Sequence, residues 1–261
     1  MVNDGLTFES VAEDYDKYRG SYPAEFMDMV LEPVKQTRGG KVCEIGCGSG
    51  QATLRLAEMQ YEVTCIEPGL GLLKLARNRL AHYPSVSFQL NTFEDADLPF
   101  EHFDLVFAAN SLHWVSSDQR FKKPHEILKP GGNLVAVWRW NHPLSGPLGD
   151  ALHSIFAEKL PTYRIETRDE YELGALTYFN EMAATKLYWQ CQVRRTPYSW
   201  SKPAQDFVNW MGTWSQLASL SPSERDDVLE RTRSVIIDHG GSIFESGETV
   251  SIYGQKPLRS G

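Results

Sequence analysis

The chain has 261 residues, enough for one substantial core or for one domain with an elaborated lid. A hydrophobic share of 41% and a charged share of 23% are those of an ordinary soluble globular protein. A net charge of −8 argues against a broad nucleic-acid footprint, and no run reaches the ~18 apolar residues of a membrane span.

In chain order, the first half alternates short apolar runs with helical patterns, the sequence form of a parallel βαβ sheet. Strands are predicted at Lys41–Ile45, Glu62–Glu67, Ser85–Leu90, Asp104–Ala108 and Asn133–Trp138. Helices are predicted near Thr53–Glu58, Gly71–Ala81 and Phe121–Leu128, and Lys129-Pro-Gly-Gly132 reads as a turn. All seven tryptophans lie at or beyond Trp114, and helical patterns run over 144–181. Two further helices are expected at Pro203–Leu220 and Ser223–Gly240, the latter opened by a Ser-Pro-Ser-Glu cap. Glu248–Lys256 alternates like a final strand. No repeat or linker marks a second independent domain, so the aromatic half reads as a lid over the ligand edge of the sheet.

The chemistry concentrates at the ends of the strands. The first apolar run, Val42-Cys-Glu-Ile45, ends in Gly46, Gly48 and Gly50, which let backbone amides approach a ligand closely. The second ends in Glu67-Pro68, and a carboxylate about twenty residues past a glycine turn is where doubly wound folds grip a ribose diol. The spacing is G-x-G-x-G rather than the dinucleotide G-x-G-x-x-G, and Glu44 precedes it. A carboxylate there would repel a pyrophosphate but suits a ligand bearing an ammonium group, as S-adenosylmethionine does. A ligand-free glycine turn and a nicotinamide or flavin site are the alternatives. Glu44, Glu67, Thr92–Glu94 and Asn110–Trp114 all fall at strand carboxyl ends, where such sheets bind ligands.

Cys43, Cys47, Cys65 and Cys191 lack the partner pairs of a metal site and read as small buried residues of a reducing compartment, with no metal and no disulfide. The N-terminus shows no basic segment followed by an apolar stretch, so a cytoplasmic location is expected.

In order along the chain, Glu44-Ile-Gly-Cys-Gly-Ser-Gly50, Ile66-Glu-Pro68, Thr92-Phe-Glu-Asp95, Phe103-Asp-Leu-Val106, Leu112-His-Trp-Val115 and Leu128-Lys-Pro-Gly-Gly132 form a set. Together they resemble the class I S-adenosylmethionine-dependent methyltransferases, and within them the small-molecule, trans-aconitate methyltransferase-like (type 11) group. Upstream, the pattern from Phe8 through Ala12, Tyr15, Tyr18, Arg19 and Tyr22-Pro23 resembles the helix that precedes the fold in that group. The resemblance implies an α/β fold: a doubly wound, Rossmann-like, seven-stranded, mostly parallel sheet with helices on both faces and a helical lid. It implies a helical cap over residues 1–35 and one methyltransferase domain over 36–261, with lid insertions around 141–181 and 200–245.

Carried onto this chain, the family pattern wraps Gly46, Cys47, Gly48 and Gly50 around the methionine end of the cofactor, with Glu44 near its ammonium. Glu67, followed by Pro68, would accept both ribose hydroxyls. Leu72 would pack on the adenine, with Thr92 and Phe93 at its edge. Glu94 would act as a cap or as an adenine contact, because Asn91-Thr-Phe-Glu94 departs from the commoner Gly-Asp-Ala-Glu. Ala109 and Asn110 would lie beside the methyl sulfonium. Tyr15 and Arg19 are either a helix face packed on the sheet or a closure over the cofactor carboxylate, which arginine's fork suits.

His113, Trp114 and Trp138 are the expected acceptor pocket. His113 is either a base, or an acceptor-orienting group in the pocket wall. Kinship with the trans-aconitate group implies a carboxylate acceptor. Arg139, Arg164, Arg194 and Arg195 are the candidates for an anion clamp. The expected reaction is methyl transfer to an oxygen or nitrogen of a small organic molecule, without membrane or nucleic-acid partners. The alternatives are an S-adenosylmethionine-binding protein with a non-methylating role, or an RNA or protein methyltransferase.

Overall fold

The computed structural model describes residues 11–20, 22–34, 39–160, 163 and 167–259. Phe8 and Arg164, both singled out in the sequence, lie outside the described residues.

Two helices, α1 (Ala12–Tyr18) and α2 (Ala24–Leu31), precede the sheet. Then β1 (Lys41–Ile45), α3 (Gln51–Glu58), β2 (Glu62–Glu67), α4 (Leu70–Arg79), β3 (Val86–Leu90), β4 (Phe103–Ala109), α5 (Lys122–Ile127) and β5 (Leu128–Asn141) alternate. The seven-stranded order is β3-β2-β1-β4-β5-β7-β6, with β6 at Trp189–Pro203 and β7 at Ser242–Gln255. β1 pairs in parallel with β2 on one side and β4 on the other, so the chain reverses its direction of travel at β1. β7 runs antiparallel to both β5 and β6. A seven-stranded, mostly parallel sheet with helices on both faces is thus the observed architecture.

Alternation along the strands builds both layers. Val42, Val63, Cys65, Leu105, Phe107 and Val135 meet α2, α3 and α4 through Met27, Leu56 and Leu73. Cys43, Ile45, Ile66, Val106 and Ala136 face the other way, onto Leu112, Phe121, Ile127 and Met182.

A third apolar cluster lies in α6 (Gly146–Lys159), α8 (Ala204–Met211), α9 (Ser215–Ala218) and α10 (Pro222–Asp238), which pack through Leu152, Phe207, Trp210 and Ile236 against Ile243 of β7. The helix α7 (Arg168–Ala184) instead puts Met182 on the sheet, beside Trp138 and Ile252. The capping box at Ser221 and Glu224 opens α10 as its sequence predicts.

Two expectations are corrected, and one strand is added where the sequence reading makes no assignment. The segment 203–220 is two helices, broken at Gly212–Trp214, where α8 runs out of helical hydrogen bonds. Lys129–Gly132 is not a free turn but an irregularity inside β5, with Leu128 opposite Phe103 and Asn133 opposite Leu105. Gly131 takes φ +81°, and its N–H and the Gly132 carbonyl are both bound by the backbone of Lys256. Trp189–Pro203, which the sequence reading leaves unassigned, is the edge strand next to β7.

Candidate active site

A cavity of about 520 Å³ opens over the carboxyl ends of the parallel strands. Its wall takes residues from α1 and the segment behind it, from the loops after β1, β2, β3 and β4, from the end of β5, and from the break between α8 and α9.

The glycine turn forms one side. Gly46, Gly48 and Gly50 adopt φ of +64°, +57° and +80°, a region that L side chains rarely enter. At Gly46 a Cβ would also lie 2.6 Å from the Ser111 Cβ, because the Ser111 hydroxyl donates to the Ile45 carbonyl across 2.5 Å. Close approach of the loops after β1 and β4 therefore depends on that glycine.

Glu67 closes β2 and is buried, yet it reaches the cavity wall. One carboxylate oxygen accepts the N–H of Gly48 and the other that of Gly69, both at 2.9 Å. A carboxylate fixed in this way presents acceptor oxygens of the kind that bind hydroxyl groups. Pro68 and Leu72 continue this wall, and Phe93 joins it from the loop after β3. Thr92 also lines the cavity, but its hydroxyl donates to Asp95 across 2.8 Å and caps that loop. Glu94 combines both readings, for it lines the cavity while accepting the Ser116 N–H across 2.8 Å.

Four expected site residues are not on the wall, which changes their parts. Glu44 is buried behind the turn and accepts from the Thr53 hydroxyl across 2.6 Å. Burial pushes its carboxyl up to about 8, against the downward pull of that hydrogen bond. Cys47 packs into the core, and Gly50 caps α3 at a place where a Cβ would meet Leu80 and Ala76. Trp138 lies behind His113 and stacks on Tyr178 with ring centroids 4.8 Å apart.

His113 and Trp114 do line the cavity, in a single turn of 3₁₀ helix after β4. The Trp138 indole donates to His113 Nδ1 across 3.2 Å. Burial, with Arg120 nearby, brings His113 down to about 4, so it is neutral at ordinary pH. Because Nδ1 accepts, the ring proton sits on Nε2. His113 is therefore arranged as a donor rather than as a ready base.

The far side brings the expected Asn110, Arg19 and Tyr15 together with residues that the motifs alone did not reveal. Asn110 sits at φ +53° and bridges two segments. Its Oδ1 accepts the Arg139 backbone N–H across 3.0 Å, and its Nδ2 donates to the Tyr22 hydroxyl, also across 3.0 Å. Arg19 lines the cavity while donating to the Thr213 hydroxyl and carbonyl at 2.8 and 2.9 Å, and its guanidinium rests over Tyr15. Tyr15 in turn covers Gly48. Trp210 and Trp214, edge to face with centroids 5.2 Å apart, complete the wall with Asn141 and Ser215. Tyr22 stands inside a quoted motif, but its place beside Asn110 follows only from tertiary packing.

Of the four arginine candidates, only Arg139 is shown at the cavity. Arg194 pairs with Glu32, and Arg195 with Glu172 and Glu248, so both are spent on surface ion pairs. Among the described residues no helix is long and apolar enough to cross a membrane.

The strand order and this crevice define a class I methyltransferase fold. Residues 42–132 match the family described as a methyltransferase domain. A Dictyostelium discoideum protein named as a methyltransferase is 25% identical over 234 residues, covering 88% of this chain and 84% of its own. An uncharacterized methyltransferase of Mycobacterium tuberculosis is 32% identical over 133 residues, covering 51% of this chain and 52% of its own. The aligned part thus spans about half the length of several such relatives.

Among solved structures, a type II methyltransferase from Anaeromyxobacter dehalogenans superposes with a TM-score of 0.61 at 21% identity, over 93% of this chain and 100% of that one. Phosphoethanolamine N-methyltransferase 2 of Haemonchus contortus, bound to phosphomonomethylethanolamine and S-adenosylhomocysteine, gives 0.57 at 15% identity, over 96% of this chain and 58% of that one. The chain thus carries a match to the methyltransferase domain over residues 42–132 and shares the methyltransferase fold over nearly its whole length.

Proposed function

We propose that the protein transfers the methyl group of S-adenosylmethionine to an oxygen or nitrogen of a small organic molecule held beneath the aromatic cap. The observation that carries this reading is Glu67, a buried carboxylate fixed at the cavity wall by two backbone N–H groups. Such a group suits a ribose diol, and the left-handed glycine turn beside it offers a cradle that any Cβ would narrow.

When bound, the cofactor supplies a methyl already activated on a sulfonium. What remains for the chain is to align acceptor and methyl, exclude water, and orient the acceptor. Positioning of this kind contributes ~7–11 kcal/mol to a barrier. Asn110, locked between Tyr22 and Arg139, fixes the segment beside the reacting end. The His113 Nε2–H orients an acceptor oxygen by donation. Trp114, Trp210 and Trp214 supply flat apolar walls for a small molecule. The reading of the cytoplasm as its location rests on sequence alone.

The test is a screen of a soluble metabolite extract with methyl-labelled cofactor, with products identified by mass. A labelled small molecule, formed together with S-adenosylhomocysteine, is the expected result. Label confined to RNA or protein would overturn the small-molecule reading, and cofactor binding without any labelled product would favour a non-methylating role.

A further inference from the structure

We propose that Glu245 works a proton-operated latch behind the aromatic cap of the cavity: the neutral acid lets the cap pack shut, and the carboxylate loosens it. The device is independent of which molecule is methylated.

The strand register places its parts. In the antiparallel pair of β6 and β7, Glu245 stands directly opposite Trp200, Ile243 opposite Lys202, and Gly247 opposite Tyr198. Opposed residues share a sheet face, as do residues two apart on one strand. Across β5, Gly247 opposes Asn141 and Thr249 opposes Arg139, and both of those partners line the cavity. Glu245 therefore shares its sheet face with part of the wall, but is itself buried off the wall.

Trp200 makes the connection. Its ring meets that of Trp210 edge to face, with centroids 5.6 Å apart, and Trp210 meets Trp214 in the same way. Trp210 and Trp214 both line the cavity. A shift of the Trp200 ring thus reaches the wall through a single contact.

Among the described residues, the packed arrangement leaves Trp200 Nε1, Glu245 Oε2 and Thr232 Oγ1 of α10 buried without a hydrogen-bond partner. The indole can only donate and a carboxylate accepts, yet these two opposed groups do not bond. Buried polar atoms without partners are rare, because each forfeits its hydration. A loosened cap that admits water satisfies all three atoms at once. Apolar contacts hold the closed form against that standing polar cost.

Charge decides between the two forms. Lys202 of β6, whose ammonium also rests 4.8 Å from the Trp200 ring centroid, and Arg139 of β5 both act on Glu245. Burial outweighs these two cations and raises the carboxyl to about 7. The helices α6, α8 and α10 contribute Phe156, Phe207, Val228, Thr232 and Ile236 to the buried side, none of them charged. His142 bonds Ser246, which strand alternation turns to the other face. A hydrated carboxyl ionises near 4.5, so raising the pH between these values favours the loosened form, to a limit of roughly 300-fold.

The experiment titrates the full chain from pH 5 to 9 and measures acrylamide quenching of its tryptophan fluorescence. Quenching should rise about twofold between pH 5.5 and 7.5. E245Q, uncharged throughout and of the same shape, should stay at the protected level. T232V, which removes one of the three stranded atoms and adds no charge, should be quenched less than the unaltered protein at every pH above 6. Release of S-adenosylhomocysteine, timed by stopped flow, should quicken about threefold over the same range and should not do so in E245Q. Quenching that ignores pH overturns the inference, and so does a rise that persists in E245Q. Quenching that rises while the release rate stays constant overturns it as a latch on the cavity.

Discussion

The indole N–H of Trp138 and Nδ1 of His113 are joined across 3.2 Å, and this one bond decides what the histidine can do. With Nδ1 occupied and the ring held down to about 4, His113 is neutral and carries its proton on Nε2. H113A should leave cofactor affinity unchanged and lower kcat by about 10- to 100-fold, the worth of a hydrogen bond to a charged or charging group. The pH–rate profile should show no inflection near 6.5 that depends on His113. W138F frees Nδ1 but keeps the burial and the Arg120 charge that hold the ring down, so it should not create one. A histidine-dependent inflection in the unaltered protein would restore the reading as a base.

Glu67→Ala should weaken S-adenosylmethionine binding by at least 100-fold, since two charge-assisted hydrogen bonds contribute roughly 3–6 kcal/mol together. Calorimetry of a melting-checked variant measures it, with Glu67→Gln as the shape-preserving control. Undiminished affinity in both would remove the pocket assignment.

Gly46→Ala tests the turn. The left-handed backbone alone costs about 1–2 kcal/mol, and the added methyl meets the Ser111 Cβ at 2.6 Å. A lower melting temperature is expected, with partial recovery when S111G is added. Recovery cannot be complete, because the second change relieves the contact and not the φ. Full recovery would show that the backbone at Gly46 is unstrained.

Buried Glu44 makes stability depend on pH. Its carboxyl is raised from 4.5 unfolded to about 8 folded, so between those values the native state holds a proton that the unfolded chain has lost. Stability is therefore present in full below about 4.5, falls as pH rises through that window, and levels off above about 8. From pH 6.5 to 8 Glu44 alone should remove roughly 2 kcal/mol, or about 4–8 °C in melting temperature. Glu245, raised to about 7, adds to the same trend. E44Q should flatten much of the slope in a melting series, and a slope unchanged in E44Q would place its origin elsewhere.

Where local pattern and burial coincide, the sequence is easily read. Lys41–Ile45 and Glu62–Glu67 are apolar runs in the middle of the sheet, and both strands begin and end where they are predicted. The strand Trp189–Pro203 shows the opposite case. It is an edge strand that alternates exposed with half-buried residues, and it contains Pro197 and Pro203, which only an edge tolerates. Lys129–Gly132 reads as a turn because proline and glycine fill it. Its incorporation in β5 depends on Lys256, over a hundred residues away.

The site divides in the same way. Glu67 follows from spacing to a glycine turn, a relation local in sequence. Trp138 was expected in the pocket wall, but it sits one layer back and acts through His113. The Tyr22–Asn110–Arg139 bridge joins three segments that no periodicity connects. Only folding brings them together.

Arg19 donates twice to Thr213, which ties the N-terminal helix to the break between α8 and α9. Those two bonds rivet the cavity wall where α1 meets the α8–α9 break. Traffic through the crevice should accordingly be gated by a single concerted opening. Loosening this rivet would speed the departure of spent cofactor and admit water, so leakiness and turnover would rise together.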